Sequence, residues 1–252
     1  TERADGLGIA HELRVYPLAG AEGSETLWFS RRAELDRSPA LDGVARAVLQ
    51  ATSEAIGGAV TGDDIARFDL YSCFPIAVLM GAHAFGIGDA VKEARPLTLT
   101  GGLARFGGPA SNYSTHGILA TARECREHPG EIGVATALGW YATKHAAATY
   151  SSRPGAAPYR TVRLNDRPEM EVEVIAAPAA APRGIVEGSA VEFNRDGQPT
   201  KTLFSARTSE GARFLARSDD PSLGRQCATT AAEGLGVTTT IEGDRFKIAD
   251  LS

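Results

Sequence analysis

The sequence predicts an α/β fold followed by a small, mainly β domain. Three loops, Tyr71-Ser72-Cys73-Phe74, Gly101-Gly102 with Gly107-Gly108-Pro109, and Ala137-Leu138-Gly139, recur at the pitch of strand-helix-strand units. Composition changes after Ser151-Ser152-Arg153-Pro154-Gly155, and a second Pro/Ala segment runs over 176–182. Beyond it, Asp196-Gly197 and Gly243-Asp244 separate runs suited to paired strands. The expected organisation is a β-α-β-α-β-α-β-β unit with a mixed five-stranded sheet over 1–153, then a β-rich domain over 154–252.

Residues 1–10 read as the tail of a helix entering Gly6-Leu7-Gly8 with no strand before it, the pattern of a fragment. Leu13-Arg14-Val15-Tyr16 reads as a strand that leads through a glycine-rich loop to Ser38-Pro39. There Ser38 can cap a helix and Pro39 occupies its first turn. Leu41, Val44, Ala45, Val48, Leu49 and Ile56 recur at helical spacing. The apolar run Ile65 to Leu70 predicts a strand, and Phe74 to Leu79 the start of a helix that buries Cys73 and Phe74. Pro96 to Thr100 predicts a further strand, Asn112 to His128 an amphipathic helix, and Glu131 to Ala137 and Thr143 to Tyr150 two last strands. The three loops then lie at the carboxyl ends of neighbouring strands, the edge where open α/β sheets gather ligands.

In the second domain Ala190 to Asn194 and Thr200 to Arg207 flank the first hairpin turn, and Arg213 to Arg217 adds a strand. Val237 to Glu242 and Arg245 to Ile248 form a second hairpin. An oligomer-binding-type barrel is one arrangement of these strands. Arg207, Arg213 and Arg217 read as a solvated face rather than a phosphate clamp.

A net charge of −5 argues against nucleic acid, and 43% hydrophobic residues are enough to fill a core. Phe74 to Gly88, the longest apolar stretch, is too short to span a membrane. Cys73, Cys125 and Cys227 show no metal spacing and cannot all pair, which favours a reducing, cytoplasmic setting. No histidine pair has zinc-helix spacing, no Gly-x-Ser-x-Gly turn is present, and the glycine loops lack the ending of a phosphate cradle. No metal or tightly bound cofactor is expected.

Asp69-Leu70-Tyr71-Ser72-Cys73-Phe74-Pro75, Thr98-Leu99-Thr100-Gly101-Gly102 and Thr143-Lys144-His145-Ala146 resemble a divergent, mycobacterial-type branch of the thiolase superfamily called thiolase-like proteins. The resemblance covers roughly residues 7–150, and similar members carry an additional β-rich C-terminal domain. It implies the C-terminal half of an acyltransferase of acetyl-CoA acetyltransferase type in lipid metabolism. Its substrate is a coenzyme A thioester, and its partner is an N-terminal thiolase half in the same or a separate chain. The chain departs from the thiolase pattern at three points. Tyr71 stands where an asparagine or histidine belongs, Gly108 replaces the histidine of a Gly-His-Pro turn, and Ala137 replaces the acid/base cysteine.

On that resemblance the catalytic candidates are Tyr71, Tyr113, His116 and Gly139. Tyr71 either hydrogen-bonds a thioester carbonyl or packs as an aromatic strand end. His116 is a base reaching back to the Gly108 loop, or a satisfied helix residue. Tyr113 is a second phenol facing the reacting carbon, and Gly139 offers a backbone N–H or is a turn glycine. Gly108, Asn112, Lys144 and His145 are candidate substrate contacts, with Asn112 equally suited to cap a helix and the last two to a solvated strand end. Three activities stay open: acyl transfer with carbon-carbon bond formation or cleavage, a retro-aldol lyase on β-hydroxyacyl-CoA, and non-catalytic acyl-CoA binding or scaffolding.

Overall fold

The computed structural model describes residues 2–88, 96–165, 171–176 and 180–252. The chain divides into two units, one of Thr1–Phe29 with Glu34–Glu169 and one of Ser30–Ala33 with Met170–Ser252. This division falls later than the composition change after residue 153, because Arg160–Leu164 hydrogen-bonds to the first unit's sheet. Part of the Pro/Ala segment, 177–179, lies outside the described residues.

The first unit carries β1 (Tyr16–Ser24), β2 (Arg67–Asp69), β3 (Ile132–Gly139), β4 (Lys144–Ser151) and β5 (Arg160–Leu164) in the order β2-β3-β4-β1-β5. The sheet is mixed: β2/β3 and β1/β5 run parallel, β3/β4 and β4/β1 antiparallel. Three of the five, β2, β3 and β4, correspond to expected strands, and the other two, β1 and β5, do not. Leu13 lies in a short 3-10 turn, and the stretch read as a glycine-rich loop is strand β1 itself. Its small residues serve close packing: a Cβ on Gly20 would stand 2.6 Å from the Tyr159 hydroxyl, and one on Gly23 3.2 Å from Val44. Residues 96–100 make one bridge, Thr98 to Asp69, instead of a strand. The Thr100 N–H turns to the Asp69 carboxylate, 2.9 Å away, rather than continuing a ladder.

Among the described residues this unit has five α-helices. Of these α1 (Glu2–Gly6) and α4 (Leu103–Phe106) are short, and α2 (Pro39–Ile56), α3 (Pro75–Ala84) and α5 (Tyr113–Glu127) are long. Helix α2 starts as expected, with Ser38 Oγ accepting the Leu41 N–H at 3.2 Å and Pro39 at the first position. It ends at Gly57 in the left-handed region. Val44, Ala45, Val48 and Ala51 pack against Ala19, Ala21, Phe68, Leu70 and Val134 of the sheet, forming the core. Helix α3 behaves otherwise. Phe74 is 70% exposed, and Ile76 and Leu79 continue its apolar face outward, so the expected burial of this turn does not occur.

In the second unit β7 (Arg183–Phe193), β8 (Pro199–Arg207), β9 (Arg213–Ser218), β11 (Arg245–Leu251) and β10 (Gly236–Glu242) pair in a ring. The antiparallel neighbours β8/β7, β8/β9, β10/β11 and β10/β7 are closed by a parallel β9/β11 contact. The two-residue β6 (Val174–Ile175) adds to β9. Helix α6 (Pro221–Thr229) connects β9 to β10, which makes this a small closed barrel of the expected oligomer-binding type. Phe204, Phe214, Phe246, Val186 and Val237 fill it.

Arg213 corrects the solvated-face reading, being fully buried. All five of its N–H donors find acceptors: Nε and Nη2 grip the Glu187 carboxylate at 2.6 and 3.0 Å, and the rest reach the carbonyls of Ser30, Arg32 and Ala33. Arg207 Nε adds a second contact to Glu187 at 2.6 Å. Burial alone would raise the Glu187 pKa, but the two guanidiniums outweigh it and hold it below the ordinary value.

Glu187→Gln leaves Arg213 charged and half-paired beneath the Ser30–Ala33 segment that covers it, and is expected to cost about 3 kcal/mol in denaturant unfolding of this unit. The contribution of Glu187 to stability is complete at neutral pH. It is lost as pH falls below about 4.3, the unperturbed glutamate value, and through the lower folded-state pKa; an acid titration of wild type against Glu187→Gln measures this difference.

Candidate functional site

Asp69 ends β2 and is 2% exposed, which makes it the charged residue that an apolar strand would least tolerate without partners. Its Oδ1 accepts two hydrogen bonds from Thr100, one from the backbone N–H and one from Oγ1, both at 2.9 Å. Burial pushes the Asp69 carboxyl upward, and the Thr100 hydrogen bonds offset this only in part.

Because the Thr100 hydroxyl spends its one proton on Asp69, Thr100 Oγ1 can only accept from its other neighbours. These are the Tyr113 hydroxyl at 3.1 Å and the Gly102 N–H at 3.3 Å. Tyr113 has then spent its own proton, so its oxygen accepts from Ser72 Oγ at 3.0 Å. The order Ser72 to Tyr113 to Thr100 to Asp69 is therefore set by proton count. Tyr113 is 1% exposed, so it supports the site from behind and does not present a phenol outward.

Tyr71 stands in front of it, the two rings meeting edge to face with centroids 5.1 Å apart. The Tyr71 N–H donates to Thr136 Oγ1 at 2.8 Å, which pins this loop to β3. Burial, then the neighbouring Cys73 and Tyr113, raise the Tyr71 pKa, so the phenol stays protonated and can donate. His116, one turn into α5, lies 6.2 Å from the Tyr113 ring and 5.1 Å from Phe106. Its Nδ1 is buried and has no hydrogen-bond partner among the described residues.

Gly139 ends β3 opposite Lys144 and lines an open groove of about 530 Å³ with Ser111, Ser114, Ala137, Lys144 and Glu22. The turn that follows is strained, with Trp140, Tyr141 and Ala142 all at positive φ. His145 borders this groove, but its imidazole is buried and committed, with Nε2 3.0 Å from both Ser38 Oγ and the Ala142 carbonyl. Lys144 is exposed at the strand end. Asn112 occupies the cap position of α5, yet its Oδ1 accepts from the Thr115 hydroxyl at 2.7 Å instead of a backbone N–H. Gly108 is exposed beside Leu103.

Two groups thus emerge: Tyr71, Tyr113 and His116 meet in one aromatic cluster, while Gly139 and Lys144 face the groove that Ser111 and Ser114 border. The polar network of Asp69, Thr100 and Ser72 was not anticipated. Its signal in the sequence was the single carboxylate inside Ile65 to Leu70. Elsewhere, Glu124, Glu127 and His128 bring three ligand-type atoms within 4.8 Å of one another, but Glu124 also lies 3.8 Å from Arg67.

The mixed sheet followed by this small barrel makes a thiolase-like fold. The model of the thiolase-like protein type 1 additional C-terminal domain matches residues 164–245. The crystal structure of a monomeric SCP2-thiolase like protein type 1 from Mycobacterium smegmatis is similar over 98% of this chain, with a TM-score of 0.79 and 29% sequence identity. The chain spans about half, 53%, of that protein's length. No curated protein matches the sequence.

Gly117 in α5 is fixed by the same carboxylate, since a Cβ there would stand 2.3 Å from Asp69 Oδ2. Gly117→Ala is expected to lower stability by about 1–3 kcal/mol despite the better helix propensity of alanine, because Asp69 is held by Thr100 and cannot yield. Thermal unfolding of the variant checks this.

Proposed function

We propose that the chain is the C-terminal half of an acyl-CoA-handling enzyme of thiolase type, catalysing acyl transfer with formation or cleavage of a carbon-carbon bond. The observation that carries this reading is the cluster that Tyr71, on a loop where the resemblance places a thiolase polar group, makes with Tyr113 and His116 of α5. A protonated Tyr71 supplies a donor for a thioester or enolate oxygen, and His116 supplies a base. The partnerless Nδ1 costs about 1–3 kcal/mol where nothing completes it, which favours a ligand or a neighbouring segment at this position. Gly139 and Lys144 fit the coenzyme side of the same substrate.

An N-terminal thiolase half, in the same polypeptide or as a separate chain, contributes the nucleophile in this reading. The outward apolar face of Phe74, Ile76 and Leu79 on α3 suits such a partner. Among the described residues no helix is long and apolar enough to cross a membrane, and all three cysteines are free, in keeping with a cytoplasmic location. A non-catalytic coenzyme A binder is the second reading, favoured by the absence of any side chain at Gly108 and by the methyl group alone at Ala137.

In the complete protein, Tyr71→Phe and His116→Ala are each expected to lower thioester turnover about 100-fold while calorimetry still shows coenzyme A binding. Unchanged turnover in both variants would sink the enzymatic reading. Binding with no turnover across a broad thioester panel would establish the second.

A further inference from the structure

We infer that Ser72 is the residue that takes the carbon-bound proton at this site, with His116 left as the base for the other proton transfers, and that it acts as the accessible end of a relay through Tyr113 and Thr100 to the Asp69 carboxylate. The inference deepens the acyl-CoA reading and rests on it. It replaces the acid/base groups that Gly108 and Ala137 cannot supply with a carboxylate held one layer below the surface.

The polarity of the chain carries the argument. Asp69 Oδ1 draws the Thr100 proton, which obliges Tyr113 to donate to Thr100 and Ser72 to donate to Tyr113, over contacts of 2.9, 3.1 and 3.0 Å. Each link lies within hydrogen-bonding distance, so a proton can pass along all four groups with no side chain moving far. Asp69, Thr100 and Tyr113 are all buried, and Ser72 alone of the four is partly exposed. Gly102 keeps that end open: it sits at φ 80°, and a Cβ there would approach Ser72 Oγ to 3.1 Å. Burial also lifts the carboxyl toward the range in which it accepts a proton. The titratable groups around the relay are Tyr71 and Cys73 on its own loop and Tyr113 and His116 on α5; no ion pair reaches Asp69 among the described residues.

The step balances within the relay. A proton on the carbon beside the thioester carbonyl passes to Ser72 Oγ as the Ser72 proton passes to Tyr113, that of Tyr113 to Thr100, and that of Thr100 to Asp69. The electron pair of the broken C–H bond remains on the substrate as an enolate, whose oxygen the Tyr71 phenol can meet, and Asp69 becomes neutral. Reversal restores both.

Exchange of the methyl protons of acetyl-CoA in D2O, followed by NMR on the complete protein, tests this. Wild type is expected to exchange them, and Ser72→Ala, Tyr113→Phe and Asp69→Asn each to slow exchange about 100-fold with coenzyme A binding retained by calorimetry. The wild-type rate should rise with pH through the Asp69 ionisation, and Asp69→Asn should lose that limb, which a purely structural role would not remove. Binding without exchange, or full exchange in Ser72→Ala, overturns the relay and leaves the acyl-CoA reading standing. Absence of binding sinks that reading instead. The relay is then decided by carbon-13 titration of the Asp69 carboxyl without ligand: its midpoint should rise in Tyr113→Phe and Ser72→Ala, and an unchanged midpoint in both overturns it.

Discussion

The constraint on which the first unit depends is the burial of one carboxylate. Asp69 cannot be left charged in the core without donors, so the chain from Thr98 to Gly102 folds over it and gives up a strand to do so. That concession fixes Thr100, and through Thr100 the phenol of Tyr113, and through Tyr113 the hydroxyl of Ser72. The same carboxylate requires a glycine at 117, which brings α5 against β2. The positions of Tyr71 and His116 follow from this packing, since both rings rest on Tyr113.

The second unit solves a similar problem with the opposite sign. Arg213 is a fully buried cation, tolerable because Glu187 and three backbone carbonyls take all five of its protons. The charge sits on β9 where that strand is paired on both sides, with β8 through Arg207 and with β6 through Val174, and the Ser30–Ala33 carbonyls close over it. In each unit a buried charged side chain and its partners organise segments distant in sequence.

The departures from the thiolase pattern acquire a physical sense beside this network. Gly108 and Ala137 lack the groups that move protons in a typical thiolase. Tyr71 and Ser72 on one loop and His116 on α5 present three polar functions close to one another. The strained turn of Trp140, Tyr141 and Ala142 after Gly139 is a further place where this chain holds a costly backbone next to the candidate groove.

Local patterns in the sequence were enough to determine the order and type of most elements. The cap at Ser38, the period of α2 and α5, and the hairpin turns at Asp196-Gly197 and Gly243-Asp244 depend on residues a few positions apart. The family likeness lay in short phrases of the same kind, and Tyr71 and His116 were found through it. Where the outcome turned on distant partners, local reading failed. Small residues at 19–23 read as a loop until β4, β5 and α2 required close approach, and 96–100 read as a strand until Asp69 took its amide. Arg213 read as solvated until Glu187 lay beside it, and Tyr113 read as outward until Ser72 and Thr100 claimed its hydroxyl. The sequence shows which groups can donate, accept or pack, but only the tertiary structure decides which of them meet, because each pairing is a choice among competitors brought close by the rest of the fold.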